Sequence, residues 1–264
     1  MYDLLTTTRW DPFLARLGWN NHSHFLLLQF HLDRLKDASS AHGWPQAQSA
    51  LSNDALLEKC QAAVRVASQA GDESFKVRGS IVFPPAHVSQ LRITLSRDGV
   101  LTATASPVPA LSMDPLSASF SRPLTDSATL YGPAMTLFVD TQPTPPSGLF
   151  TSTKTTERSV YDAARARVGL PATSFDADVI LYNPDEHITE ASVSNVAFYH
   201  SNNWVTPPLS TGCLPGVLRR WLLQHKRIRE AEVGELTKSD LHPGDWALVF
   251  NSVRGCRLGR ITAS

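Results

Sequence analysis

The alternation of apolar and polar residues divides the chain into short elements of both kinds. Leu4 to Arg9 reads as a threonine-rich strand that Asp11-Pro12 stops, and Phe25 to Leu28 is a second short apolar run. A helix follows from about Gln29 to Ala41, ended by Gly43 and Pro45. Ser52 or Asn53 can cap the next helix, in which Ala55, Leu56, Cys60, Ala63, Val64 and Ala67 recur at helical spacing as far as Gly71. Phe75, Val77, Gly79 and Ile81 then alternate as in a strand. Leu91 to Leu95 and Leu101 to Ala105 flank Asp98-Gly99, the strongest hairpin signal in the chain.

From Pro107 to Pro146 the chain is loaded with proline and serine, broken by one apolar strand, Met135 to Val139. This stretch predicts a crossing between two lobes with a boundary near residue 145, so that 1–145 form an α+β lobe and 146–264 a mostly β lobe. The second lobe is expected to hold a helix around Thr155 to Val168, a strand at Asp178 to Tyr182, and paired strands at Val193 to Tyr199 and Asn203 to Thr206. A helix from Gly216 to Gln224 and a buried strand from Trp246 to Phe250 complete it. The expected fold class is α+β in two lobes, with any cofactor in the cleft between them.

Composition narrows the function. With 264 residues, 42% of them hydrophobic, the chain can bury a real core without staples. Lys plus Arg and Asp plus Glu each number 24, so no positive field gathers nucleic acid or anionic lipid. Cys60, Cys213 and Cys256 are an odd number at wide spacing, which argues against a disulfide framework or zinc site and for a reducing compartment. The N-terminus lacks a signal-peptide pattern and no apolar run approaches the ~20 residues that span a bilayer, so a cytoplasmic protein without membrane contact is expected. His22-x-His24 has no carboxylate or histidine set to complete a metal site, and no metal is expected. G-x-S-x-G, Walker A and G-x-G-x-x-G patterns do not occur.

Three segments carry candidate chemistry. Lys154 follows a run of small hydroxyl residues where an extended segment turns toward a helix, and a lysine there can form a Schiff base and act as a general base if burial lowers its pKa. Glu190 precedes a strand, and a buried carboxylate beside a pyridine nitrogen keeps that nitrogen protonated. Leu214-Pro215-Gly216-Val217-Leu218-Arg219 opens a helix with glycine in its first turn, an arrangement of free N–H groups that suits phosphate. Each segment taken alone favours a structural reading over the chemical one: a surface lysine, a turn glutamate, an ordinary helix start.

Taken in order, however, these segments resemble the class IV aminotransferase family, the fold-type IV pyridoxal phosphate enzymes. The resemblance runs from Leu5-Thr6-Thr7-Thr8-Arg9 through Phe30-His31-Leu32-Asp33-Arg34-Leu35 and Lys154-Thr155-Thr156-Glu157-Arg158. It continues in Glu190 to Asn195, Thr206-Pro207-Pro208-Leu209, the block at 214–219 and Asn251-Ser252-Val253-Arg254-Gly255. It implies a small antiparallel sheet lobe and a pseudo-barrel lobe, a homodimer, a small-molecule substrate and pyridoxal 5′-phosphate as cofactor. Lys154 would be the Schiff-base lysine and Glu190 the partner of the pyridine nitrogen. Arg34, the backbone of Gly216, Val217 and Leu218, and Ser252 would hold the phosphate end, with Ser194, Asn195 and Asn251 also at the cofactor. His31 is read as packing.

Arg158 and the Thr7-Thr8 segment, the implied substrate residues, look most like 4-amino-4-deoxychorismate lyases and their fungal relatives, which yield 4-aminobenzoate for folate biosynthesis. An aminotransferase acting on a small amino acid or amine is the alternative, and a non-enzymatic relative of the fold is a third reading. Arg9, Arg78, Arg92 and Arg97 are candidates for the substrate carboxylate trap.

Overall fold

The threonine-rich run from Leu4 onward does form a strand, β1 (Leu4–Trp10), and three helices follow it: α1 (Leu28–Ala41), α2 (Pro45–Ser49) and α3 (Asn53–Lys76). The computed structural model describes residues 2–76, 88–123, 125–145, 148–172, 174–200 and 202–262. The chain divides into two compact units, one of Met1–Asp114 with Lys154–Thr156, the other of Pro115–Thr153 with Glu157–Ser264.

In the first unit β1 pairs antiparallel with β2 (Ser89–Leu95), which pairs with β3 (Leu101–Pro107) across the expected turn, Leu95 opposite Leu101. Leu91, Ile93 and Leu95, fully buried, share one cluster with Leu32 and Leu35 of α1 and Leu56 and Cys60 of α3. Ser52 caps α3 by accepting from the Ala55 N–H at 3.1 Å. That helix runs through Gly71 to Lys76, so Phe75 is helical. A single glycine costs a helix only about 1 kcal/mol and does not stop it. The remaining positions of the expected strand, Val77, Gly79 and Ile81, lie outside the described residues.

Lys154–Thr156 extend this sheet. Leu5 N–H donates to Lys154 O at 2.8 Å, Thr156 N–H to Asp3 O at 2.9 Å, and Leu4 faces Thr155 in an antiparallel bridge. The backbone around Thr155 is therefore extended, and the helix expected to begin there starts later.

The second unit opens with β4 (Met135–Val139), α4 (Leu149–Ser152) and α5 (Ser159–Arg167). It continues with β5 (Ala177–Tyr182), β6 (Ile188–Ala191), β7 (Asn195–His200), β8 (Asn203–Thr206), α6 (Val217–Gln224), β9 (Arg229–Glu230), β10 (Trp246–Asn251) and β11 (Gly255–Ile261). The strands lie in the order β6-β5-β4-β11-β10-β7-β8-β9. The chain just beyond β9 reaches β6 at the far end of that order, with Ile188 N–H on Leu236 O at 3.0 Å and Lys238 N–H on Glu186 O at 2.8 Å. The sheet is thus stitched to itself, as the pseudo-barrel lobe requires. The change of unit falls after Asp114, upstream of residue 145, because β4 belongs to this sheet through its parallel pairings with β5 and β11.

Strand β5 is buried on both faces: Ile180 and Tyr182 join Leu137, Val196 and Val249 in one cluster, while Val179 and Leu181 pack under Tyr161 and Ala164 of α5. A strand covered on both sides reads as a continuous apolar run. Strand β11 is invisible to that reading because Gly255, Gly259, Arg257 and Arg260 interrupt it, yet Gly259 is required: a Cβ there would stand 2.6 Å from Leu137 Cδ1. Among the described residues no helix is long and apolar enough to cross a membrane.

Candidate active site

In the first unit the site residues hang on β1 and α1. Thr6 and His31 are both fully buried, and Thr6 Oγ1 and His31 Nδ1 lie 2.6 Å apart. The half-buried Arg34 donates from Nη2 to Thr6 Oγ1, with His31 Nδ1 at 3.5 Å. One turn of helix separates His31 from Arg34, so both side chains reach the same threonine. His31, read from sequence as packing, is also a polar link in this arginine's seat.

Thr8, buried, donates to Leu26 O at 2.8 Å, and Thr7 is half-buried on the opposite face of β1. Arg9 is 3% exposed and donates from Nη2 to Asp11 at 2.7 Å; burial lowers its pKa while Asp11 opposes the drop. Its guanidinium is committed to Asp11 and the Pro109 carbonyl, which takes it out of the candidates for a carboxylate trap. Arg92 and Arg97 are exposed, and Arg78 lies outside the described residues.

In the second unit Glu190 is not a turn residue ahead of a strand but a member of β6, 5% exposed. The ladder slips there: Ala191 faces Ile180 whereas Ile188 faces Tyr182, so Thr189 and Glu190 share one bulge. A bulge re-aims side chains, and this one directs Glu190 to the α5 side of the sheet. There the Tyr161 hydroxyl donates to Glu190 Oε1 at 2.8 Å. Burial first, and then the carboxylate's charge, raise the Tyr161 pKa above its ordinary 10.0, so the hydroxyl remains a donor. Glu190 and Tyr161 line a cavity of about 320 Å³ together with Thr144, Thr151, Thr189 and Thr211.

Behind Glu190 the chain is braced by two arginines of α5 and its cap. Arg158 places its guanidinium 5.0 Å from the Tyr161 ring centre and donates from Nη2 to Ser192 O at 2.8 Å. Arg165, 1% exposed, donates from Nη1 to Ser192 Oγ at 2.8 Å and to Asp178 Oδ1 at 3.3 Å, and Ser192 Oγ donates to Asp178 Oδ1 at 2.5 Å. Burial pushes the Asp178 carboxyl up, against the pull of Ser192, the Val179 N–H and Arg165. Sequence reading missed Tyr161, Arg165 and Asp178; the available signal was the four-residue spacing of Tyr161 and Arg165, which puts both on one face of a helix.

Of the residues expected at the cofactor, Ser194, Asn195, Gly216 and Asn251 are neighbours within this unit, whereas Arg34 belongs to the first. Asn195 opposes Phe250 across β7 and β10 and donates from Nδ2 to Leu214 O at 2.9 Å. Gly216 caps α6 without a side-chain hydrogen bond, and a Cβ on it would fall 1.8 Å from Asn195 Oδ1, so only glycine fits. Val217 and Leu218, buried, begin the helix, and the positive end of its dipole lies at their N–H groups. Arg219 is 3% exposed and anchors the approach to this helix through Pro207 O at 2.7 Å and through Glu230. Asn251 accepts from the N–H groups of Val253 and Arg254 at 3.0 and 2.9 Å and donates to Ser194 Oγ at 3.1 Å, which fixes the turn that carries the buried Ser252.

These donors suit pyridoxal phosphate. A glycine-capped helix start with no side-chain cap offers backbone N–H groups to an anion, and the buried Glu190 offers a carboxylate to a protonated pyridine. Lys154 lies in the first unit, on the extended segment beside β1.

A Schizosaccharomyces pombe protein provisionally named an aminodeoxychorismate lyase is 30% identical over 86% of this chain and 80% of its own length. The aminodeoxychorismate lyase of Saccharomyces cerevisiae is 35% identical over 42% of this chain and 33% of its own. A solved structure from Mesorhizobium loti, provisionally named an amino-acid aminotransferase, shares the fold with TM-score 0.64 at 23% identity, covering 99% of this chain and 100% of that one. The family model for amino-transferase class IV matches residues 4–260, and the chain belongs to that family.

Proposed function

We propose that this chain is a pyridoxal phosphate-dependent lyase that splits 4-amino-4-deoxychorismate into 4-aminobenzoate and pyruvate. The observation that carries the cofactor is the buried Glu190 held by a tyrosine that stays protonated. The choice of lyase rests on the two yeast relatives, since the likeness to the solved aminotransferase is one of fold.

When bound, the cofactor withdraws electrons from the carbon that bears the substrate amine. Lys154 would hold it through Nζ, and the same amine, when free, would take the proton from that carbon. Glu190 holds a proton on the pyridine nitrogen. Arg34, Ser252 and the N–H groups of Val217 and Leu218 hold the phosphate, with Gly216 shaping the helix start and Ser194, Asn195 and Asn251 fixing the strands and turn around it. Thr7, Thr8 and Arg158 remain the substrate residues of this reading only in part, because Thr8 and Arg158 already spend hydrogen bonds on backbone carbonyls. A homodimer and a cytoplasmic location complete the proposal; three buried thiols suit a reducing compartment.

Incubation with aminodeoxychorismate tests the branch. The lyase reading expects 4-aminobenzoate and pyruvate in equal amounts with no amino acceptor present. Turnover that begins only when a keto acid is added would make the protein an aminotransferase instead.

A further inference from the structure

The tyrosine in contact with Glu190 has no part in the motifs that carry the family resemblance. We infer that Tyr161 is a positioning residue that sets Glu190 for the pyridine nitrogen, and that Arg158 serves that tyrosine. This inference rests on the cofactor reading above.

Glu190 sits at a bulge, where the ladder is interrupted and the side chain needs an external restraint. Tyr161 provides it, one hydroxyl at 2.8 Å from Oε1 on a ring 8% exposed. The ring is held in turn: Leu181 and Val179 pack on it, and the Arg158 guanidinium lies 5.0 Å from its centre. Because Arg158 also donates to Ser192 O, two residues beyond Glu190, the same side chain straps the tyrosine to the strand end that carries the carboxylate. A hydroxyl donating to a carboxylate fixes its rotamer without neutralising it, which leaves the negative charge available to a protonated pyridine. The charged groups around Tyr161 are Glu190 and Arg158, with the buried Cys213 thiol also within range.

A double-mutant cycle on the full-length chain tests this, with the dissociation constant of pyridoxal phosphate, read from its visible absorbance, as the observable. Tyr161→Phe keeps the ring and its packing and removes only the donor; it should weaken cofactor binding about ten- to a hundredfold, as expected for a hydrogen bond to a charged group. In the Glu190→Ala background, where no carboxylate remains to be set, the same substitution should change binding by less than about twofold. Equal weakening in both backgrounds would reduce Tyr161 to a packing residue and overturn the inference, as would a Tyr161→Phe protein that binds like the native one. A native chain that ignores pyridoxal phosphate fails the cofactor reading itself, before the tyrosine is in question.

Discussion

Arg34 and Glu190, one in each unit, are held in opposite ways. Arg34 is partly buried, and its contacts include a threonine from the strand and a histidine one turn back on its own helix. Glu190 is 5% exposed, and its surroundings draw on Tyr161, Arg158, Arg165, Asp178 and Ser192. The difference follows from solvent. A partly exposed charge keeps some of its hydration, whereas a buried one must have its polar atoms met by protein groups or lose several kcal/mol.

The largest effect that would break this contrast is expected at Arg165. Arg165→Met leaves Asp178 and Ser192 without their buried cation and should cost about 3–5 kcal/mol in chemical denaturation. A loss below about 1 kcal/mol would mean that the network around Glu190 is no more demanding than the seat of Arg34.

Alkali sharpens the comparison next. Burial pushes the thiols of Cys60, in the first unit, and Cys213, beside Glu190, from 9.0 up to about 12. Above pH 9 the unfolded chain releases these protons and the folded chain keeps them, so stability must fall as pH rises, by up to about 1.4 kcal/mol per pH unit for each thiol. Below pH 9 both states hold the protons and the contribution is flat. Denaturation midpoints of Cys60→Ala and Cys213→Ala between pH 8 and 11 measure the two units separately; identical slopes in the native and substituted chains would contradict the burial assigned to the thiols.

Thr6→Val is the smallest perturbation. It removes one hydroxyl from the Arg34 seat while keeping the shape, and should cost about 1 kcal/mol of stability and weaken pyridoxal phosphate about tenfold or less. Equilibrium binding checks it, and a loss as large as that of Arg165→Met would erase the distinction between the two seats.

Arg34, Lys154 and Gly216 stand in short motifs that are legible in sequence even though their partners Thr6, Leu5 and Asn195 come from distant segments, and the hairpin at Asp98-Gly99 and the strand at Met135–Val139 are local patterns. Glu190 was visible as a candidate, but its strand was not: β6 has four residues and a bulge, too few and too irregular to show a period. Tyr161 looked like one more apolar position of a helix, and Asp178 like the polar start of a strand. Their roles exist only once α5 is laid over β5, a contact that no sequence period encodes. The sequence puts Lys154 where an extended segment turns toward a helix, and the pairing of 154–156 with β1 keeps the backbone extended past it.

The central claim is that Lys154 attaches pyridoxal phosphate. Borohydride reduction of the cofactor-loaded protein, followed by peptide mass spectrometry, tests it directly: the account predicts a single modified peptide containing Lys154, absent from the Lys154→Ala protein. A label on another lysine, or none on a protein that has been given the cofactor, would contradict it.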